Sequence, residues 1–85
     1  MEMIYKYPLR VTDEQDIEMP QNAVPLTVQD QHATLTLWVL VDTEQPTRAR
    51  TIHIVGTGHP LPTVHGSYIG TVQQRSLVWH VFDMG

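Results

Sequence analysis

The side chains with the widest chemical repertoire in this 85-residue chain are its five histidines, His32, His53, His59, His65 and His80. Three of them, His53, His59 and His65, recur at intervals of six. Zinc sites draw converging ligands from closer spacings such as His-x-His or His-x-x-x-His. The interval here is neither, so no residue is assigned to a metal, and a histidine-bound metal stands only as an alternative. The chain has no cysteine, which excludes disulfides, thiolate catalysis and cysteine-ligated zinc. Its only serines, Ser67 and Ser76, fall in turn-like contexts, and neither sits in a nucleophile elbow. Four of the nine acids lie in Asp13-Glu14-Gln15-Asp16-Ile17-Glu18, which reads as a solvated turn or as a patch imitating nucleic-acid charge. An exposed turn offers nothing to raise a carboxyl pKa for acid–base work. No enzymatic activity and no cofactor are expected from this inventory.

The sharpest local feature is Gly56-Thr57-Gly58-His59-Pro60. Two glycines two apart leave backbone N–H groups open to a ligand, and an anion can sit in such a nest. Thr57 and His59 add side-chain hydrogen bonds suited to a phosphate or ribose. A phosphate loop of the Gly-x-Gly-x-x-Gly kind must open a helix, which Pro60-Leu61-Pro62 forbids. Gly56, Thr57, Gly58 and His59, joined by the aromatic Tyr68, are therefore the candidate ligand-binding residues. The competing reading is a glycine-shaped turn or bulge between strands.

Trp38 and Leu40 alternate with Leu37 and Val39, and His80 and Phe82 alternate with Trp79 and Val81. If one face of each strand is core, the other exposes an apolar stripe of the kind that marks interfaces. Trp38, Leu40, His80 and Phe82 are the candidate interface residues, with a homodimer as the first expectation for the partner. The net charge of −4 and the scattered cations Lys6, Arg10, Arg48, Arg50 and Arg75 argue against direct nucleic-acid binding, which needs clustered positive charge. The longest apolar run, Leu37-Trp38-Val39-Leu40-Val41, is far too short for a membrane helix. The opening residues lack a signal-peptide pattern, so a cytoplasmic location is expected.

The elements that must position these residues are strands. Ten valines, five isoleucines and ten threonines stand against three alanines, and β-branched side chains favour the pleated strand. No window carries a helical period, and prolines and glycines punctuate the chain throughout. Strands are expected at Met3–Arg10, Ile17–Met19, Val24–Gln29, Ala33–Asp42, Ala49–Val55, Tyr68–Gln73 and Leu77–Phe82. In the third, Val24, Leu26 and Val28 share a face; in the fourth, Leu35, Leu37, Val39 and Val41 do. A three- to four-residue loop at Asp30-Gln31-His32 joins these two strands. The last strand is apolar on both faces and so reads as central. The sum is one all-β domain over residues 1–85, a small antiparallel sandwich or partly closed barrel of six to seven short strands.

The blocks Ile4-Tyr5-Lys6-Tyr7, Ile17-Glu18-Met19-Pro20, Leu37-Trp38, Gly56-Thr57-Gly58-His59-Pro60, Tyr68-Ile69-Gly70-Thr71 and Val78-Trp79-His80-Val81-Phe82 follow one another in order. In this the chain resembles a family of short proteins of bacteriophages and prophage-bearing bacteria, known only as a domain of unknown function. Asp30-Gln31-His32 stands where a glycine-containing turn is usual in that family. The resemblance implies a phage-encoded accessory product acting in the host bacterial cytoplasm. With the catalytic groups missing, the expectation is a non-enzymatic binding protein. Its most concrete form is a counter-defence factor that inhibits a host immune protein or sequesters a nucleotide-like immune signal. A small structural module of the virion and a histidine-dependent metal-binding protein are the alternatives.

Overall fold

A computed structural model describes residues 1–85 as seven strands and no helix. They are β1 (Glu2–Pro8), β2 (Glu14–Pro20), β3 (Val24–Gln31), β4 (Thr34–Asp42), β5 (Thr47–Gly56), β6 (Ser67–Gln74) and β7 (Leu77–Asp83). They form a three-stranded sheet in the order β1-β4-β3 and a four-stranded sheet in the order β2-β5-β7-β6. All pairings are antiparallel. The two sheets face one another as a sandwich with overall extents of 39 × 31 × 16 Å. The barrel alternative is therefore set aside, although one pair of edges comes close. A Cβ on Gly70 of β6 would meet Val28 of β3 at 3.3 Å, and the Gln74 side chain donates to the Ala33 carbonyl at 3.3 Å.

Proline follows the edges. Pro8, Pro20 and Pro25 lie on β1, β2 and β3, whereas the central strands β4, β5 and β7 contain none. Pro lacks the N–H that an interior ladder needs, so this placement follows from backbone chemistry. The central strands supply most of the core. Leu35, Leu37, Val39 and Val41 of β4 pack against Ile52 and Ile54 of β5, Val81 of β7 and Val72 of β6. Each such side chain removed from water contributes about 1.5–3 kcal/mol. The four-residue face expected in β4 and the central place of β7 are both observed.

Three local expectations are corrected. The acidic segment is not a turn: Glu14 to Pro20 is edge strand β2, paired with β5, and only Val11–Asp13 bends. Buried Gln15 makes that bend possible. Its Oε1 accepts from the Arg10 N–H at 3.1 Å and its Nε2 donates to the Arg10 carbonyl at 2.6 Å, replacing the ladder partner that the corner lacks. In β3, Val24 and Val28 do not share a face. A bulge leaves Leu26 without a register partner between Pro25 and Thr27, so Val24 points outward at 51% exposure while Val28 is buried. The β3–β4 connection is a two-residue hairpin, His32-Ala33, with φ of 53° and 67°. That is the backbone of a type I′ turn made without glycine.

A mostly buried ion pair sits among the inward-facing positions of the four-stranded sheet. Arg50 faces Ile17 across the β2–β5 ladder, and Asp83 faces Ile52 across β5–β7. The guanidinium grips Asp83 in a bidentate fork, Nε to Oδ1 at 2.9 Å and Nη2 to Oδ2 at 2.8 Å, and its Nη1 donates to the Ala23 carbonyl at 2.9 Å. One cation thereby ties β5, β7 and the β2–β3 turn together.

Candidate functional site

The residues singled out in the sequence divide between two places. Thr57, Tyr68 and His80 come together on the outer face of the four-stranded sheet. Thr57 Oγ1 lies 2.7 Å from His80 Nε2, and His80 Nδ1 lies 2.7 Å from the Tyr68 hydroxyl. The hydroxyls of Tyr68 and Thr71 are hydrogen-bonded to one another. The register explains the row: Tyr68 pairs with Phe82 and Thr71 with His80 across β6–β7. Phe82, expected at an interface, is buried beneath this layer. Tyr68 meets its ring edge-on at 5.2 Å and His65 covers it at 5.6 Å. A hydroxyl, an imidazole and a second hydroxyl in series look like nucleophile, base and orienter. The orienter is a neutral phenol, however, which does not supply the charge a carboxylate gives an imidazolium. The row is a set of hydrogen-bonding groups, and half-exposed Tyr68 is the member most open to a ligand.

Gly56 and His59 face elsewhere. The segment Gly56–His59 is a β-turn closed by the His59 N–H donating to the Gly56 carbonyl at 3.1 Å, with Gly58 at φ 88°. A left-handed third residue is what glycine supplies in a type II turn. The Thr57 N–H is also used, donating to the Val78 carbonyl at 3.1 Å. Two of the amides that would line the anticipated anion nest, those of Thr57 and His59, are therefore spent inside the fold. The turn instead swings the His59 ring back over Gly56, where a Cβ would meet His59 Nδ1 at 3.2 Å and Trp79 Cζ3 at 3.4 Å.

This places His59 on the wall of a cleft of about 690 Å³. Val11 to Glu14 form one side, Pro60-Leu61-Pro62 the other, and His53 to Gly56 with Trp79 the floor. The cleft exists because β5 outruns its neighbour. The β2 ladder begins at Glu14 opposite His53, and Asp13 adds one bond by accepting the Ile54 N–H at 3.2 Å, whereas β7 accompanies β5 as far as Gly56. Glu14 Oε2 approaches His53 Nε2 at 3.6 Å, while His53 Nδ1 is sealed from solvent without a hydrogen-bond partner. A cavity of this size, mostly apolar with a few converging polar groups, is the usual form of a binding site.

Asp13, Glu14, His53, Leu61 and Trp79 were not anticipated as site residues. The available signal was the Pro-Leu-Pro segment, whose prolines cannot join a ladder and so hold the loop away from the β5 edge. No three His, Asp or Glu side chains gather in an arrangement that could hold a metal ion.

The proposed interface residues also divide. Trp38 and Leu40 lie on the outer face of the three-stranded sheet, with Ile4 opposite Leu40 on one side and Val24 opposite it on the other. His80 and Phe82 lie on the opposite broad face of the molecule, so the four do not form one patch.

Over residues 1–85 the chain matches, and belongs to, the family described as Domain of unknown function (DUF7352). Comparison with curated proteins and with solved structures returns no match.

Proposed function

We propose, from the resemblance of its sequence blocks to short phage and prophage proteins, that the chain is a non-enzymatic binding protein encoded by a phage or prophage, which acts in the host bacterial cytoplasm as a counter-defence factor. The observation that carries the binding reading is the cleft at the overrunning end of β5, with an apolar lining and the polar groups of Glu14, His53 and His59 at its walls. Between the two forms of counter-defence, blocking of a host immune protein has the better support. A nucleotide needs donors for its phosphates, and the Thr57 and His59 amides are already occupied. The cleft walls also carry Asp13 and Glu14 and no Lys or Arg. Sequestration would have to use the Thr57–His80–Tyr68 row instead. A second copy of the chain is the proposed partner for the apolar face around Trp38 and Leu40. That same face supports the alternative of a virion module, for which the discriminator is presence in purified particles.

The test is expression in bacteria whose defence systems block a sensitive phage. The wild-type chain should restore plating, and a His59→Ala/Leu61→Asp variant should fail while keeping its fold, since both side chains are exposed. No restoration against any system would overturn the counter-defence reading. Equal restoration by the variant would remove the cleft from it. Native mass spectrometry on the gently purified protein should show a symmetric dimer without added nucleotide mass. A bound nucleotide would shift the reading to sequestration.

A further inference from the structure

We infer that the cleft accepts an extended segment of a protein partner that presents a basic side chain, Lys or Arg, to Asp13 and Glu14. This rests on the binding reading above and specifies its partner chemistry.

The charge around the cleft is negative. Of the five cations, Arg50 is locked to Asp83, Lys6 donates to Gln31 on the three-stranded sheet, and none lines the cleft. Glu14 approaches no Lys or Arg, only the His53 imidazole at 3.6 Å, and is itself well exposed. The negative wall continues along edge strand β2, whose residues Glu14, Asp16 and Glu18 alternate onto one face. Opposite them on β5 stand His53, Thr51 and Ala49, and only Asp16 gains a hydrogen bond, from the Thr51 hydroxyl at 2.8 Å. Charges on an edge strand protect it from aggregation, but like charges at every second position also repel one another. A cationic partner relieves that repulsion, and an anionic one adds to it.

The backbone at the end of β5 also offers a contact. Strand hydrogen bonds alternate sides, and in β5 the Ile54 N–H is turned toward Asp13 while the Thr57 N–H is turned toward β7. Gly56 shares the parity of Ile54, so its N–H faces the side where β2 has already ended. The Gly56 carbonyl on that side already accepts from the His59 N–H, so the edge offers a partner one group, the Gly56 N–H donor. An extended peptide can set one carbonyl on that N–H, with apolar side chains against Leu61 and Trp79 and its cation toward the β2 side.

The experiment is an amide NMR titration of the full chain with blocked peptides at millimolar concentration: acetyl-Leu-Arg-Leu-amide, its Glu counterpart, and adenosine monophosphate. The Arg peptide should shift Asp13, Glu14 and Gly56 and the Trp79 indole. It should bind about tenfold more tightly than the Glu peptide, a difference of about 1.4 kcal/mol. The preference should disappear in Asp13→Lys/Glu14→Lys, both exposed positions. If the Glu peptide or the nucleotide shifts the cleft and the Arg peptide does not, the basic-partner inference is overturned while the binding reading survives. If no probe shifts the cleft, both are overturned.

Discussion

Replacing Arg50 with methionine should remove about 3–5 kcal/mol of folding stability, the usual loss when one member of a buried ion pair is left alone. The guanidinium and the carboxylate are 17% and 12% exposed, so water does little of the work of their three hydrogen bonds. With Arg50 gone, Asp83 keeps only the Gly85 N–H at 3.0 Å, and the Ala23 carbonyl loses its donor. A chain of this length has about 4–13 kcal/mol of total stability, so the loss is a large share of it. At about 4–8 °C per kcal/mol the thermal midpoint should fall by at least about 12 °C. Urea unfolding followed by far-ultraviolet circular dichroism measures this directly. The paired variant Arg50→Met/Asp83→Leu should recover most of the loss, because it leaves no unpaired charge behind. A single-variant loss below about 1 kcal/mol would refute the reasoning, since the pair would then behave like an exposed surface bridge.

Changing Ala33 to glycine should raise stability by about 1 kcal/mol, because Ala33 holds a φ of 67° that glycine adopts without a Cβ clash; an unmoved urea midpoint would show that the turn is unstrained. The Met1 ammonium is held above its ordinary 8.0 by hydrogen bonds to Glu44 and then Asp42, and the Tyr7 phenol above its ordinary 10.0 by burial. Both contributions are full below those ordinary values and lost as pH rises through the folded ones, so the thermal midpoint should decline in alkali. Acetylating the amine should remove the earlier part of that decline, and a profile that acetylation leaves unchanged would contradict the assignment. Asp42 is held below its ordinary 3.8 by the Glu44 backbone N–H and then by the Met1 ammonium. Its contribution should therefore vanish only as pH falls through that lower value, and Asp42→Asn should flatten the acid limb of the profile.

The alternation of Leu35, Leu37, Val39 and Val41 was enough to place the core face of β4, because a half-buried strand must segregate its side chains at every second residue. The double-sided apolarity of Leu77–Phe82 likewise marked β7 as central. Leu26 broke the pattern in β3 because a bulge needs no distinctive residue. The type I′ turn was hidden because His32-Ala33 fills it with residues that do not prefer it. Of the proposed ligand set, the loop itself was legible in its glycines. What each residue does there depends on register, which joins Thr57 to His80 and Tyr68 but turns His59 toward Trp79. Gly66 was equally silent: a Cβ there would run into the Asp83 carbonyl, a contact that only the return of β7 creates. The cleft arises from β5 extending past β2, a difference in strand lengths that no single residue announces.

A host protein seated in this cleft would lie against Leu61 on its wall. A photoreactive phenylalanine analogue placed at Leu61, and at Gln73 as an exposed β6 position outside the cleft, captures such a partner. Irradiation in host cells should join the Leu61 variant to one protein, and the same adduct should be lost with Asp13→Lys/Glu14→Lys. An adduct formed equally from Gln73, or none from Leu61, would contradict the account.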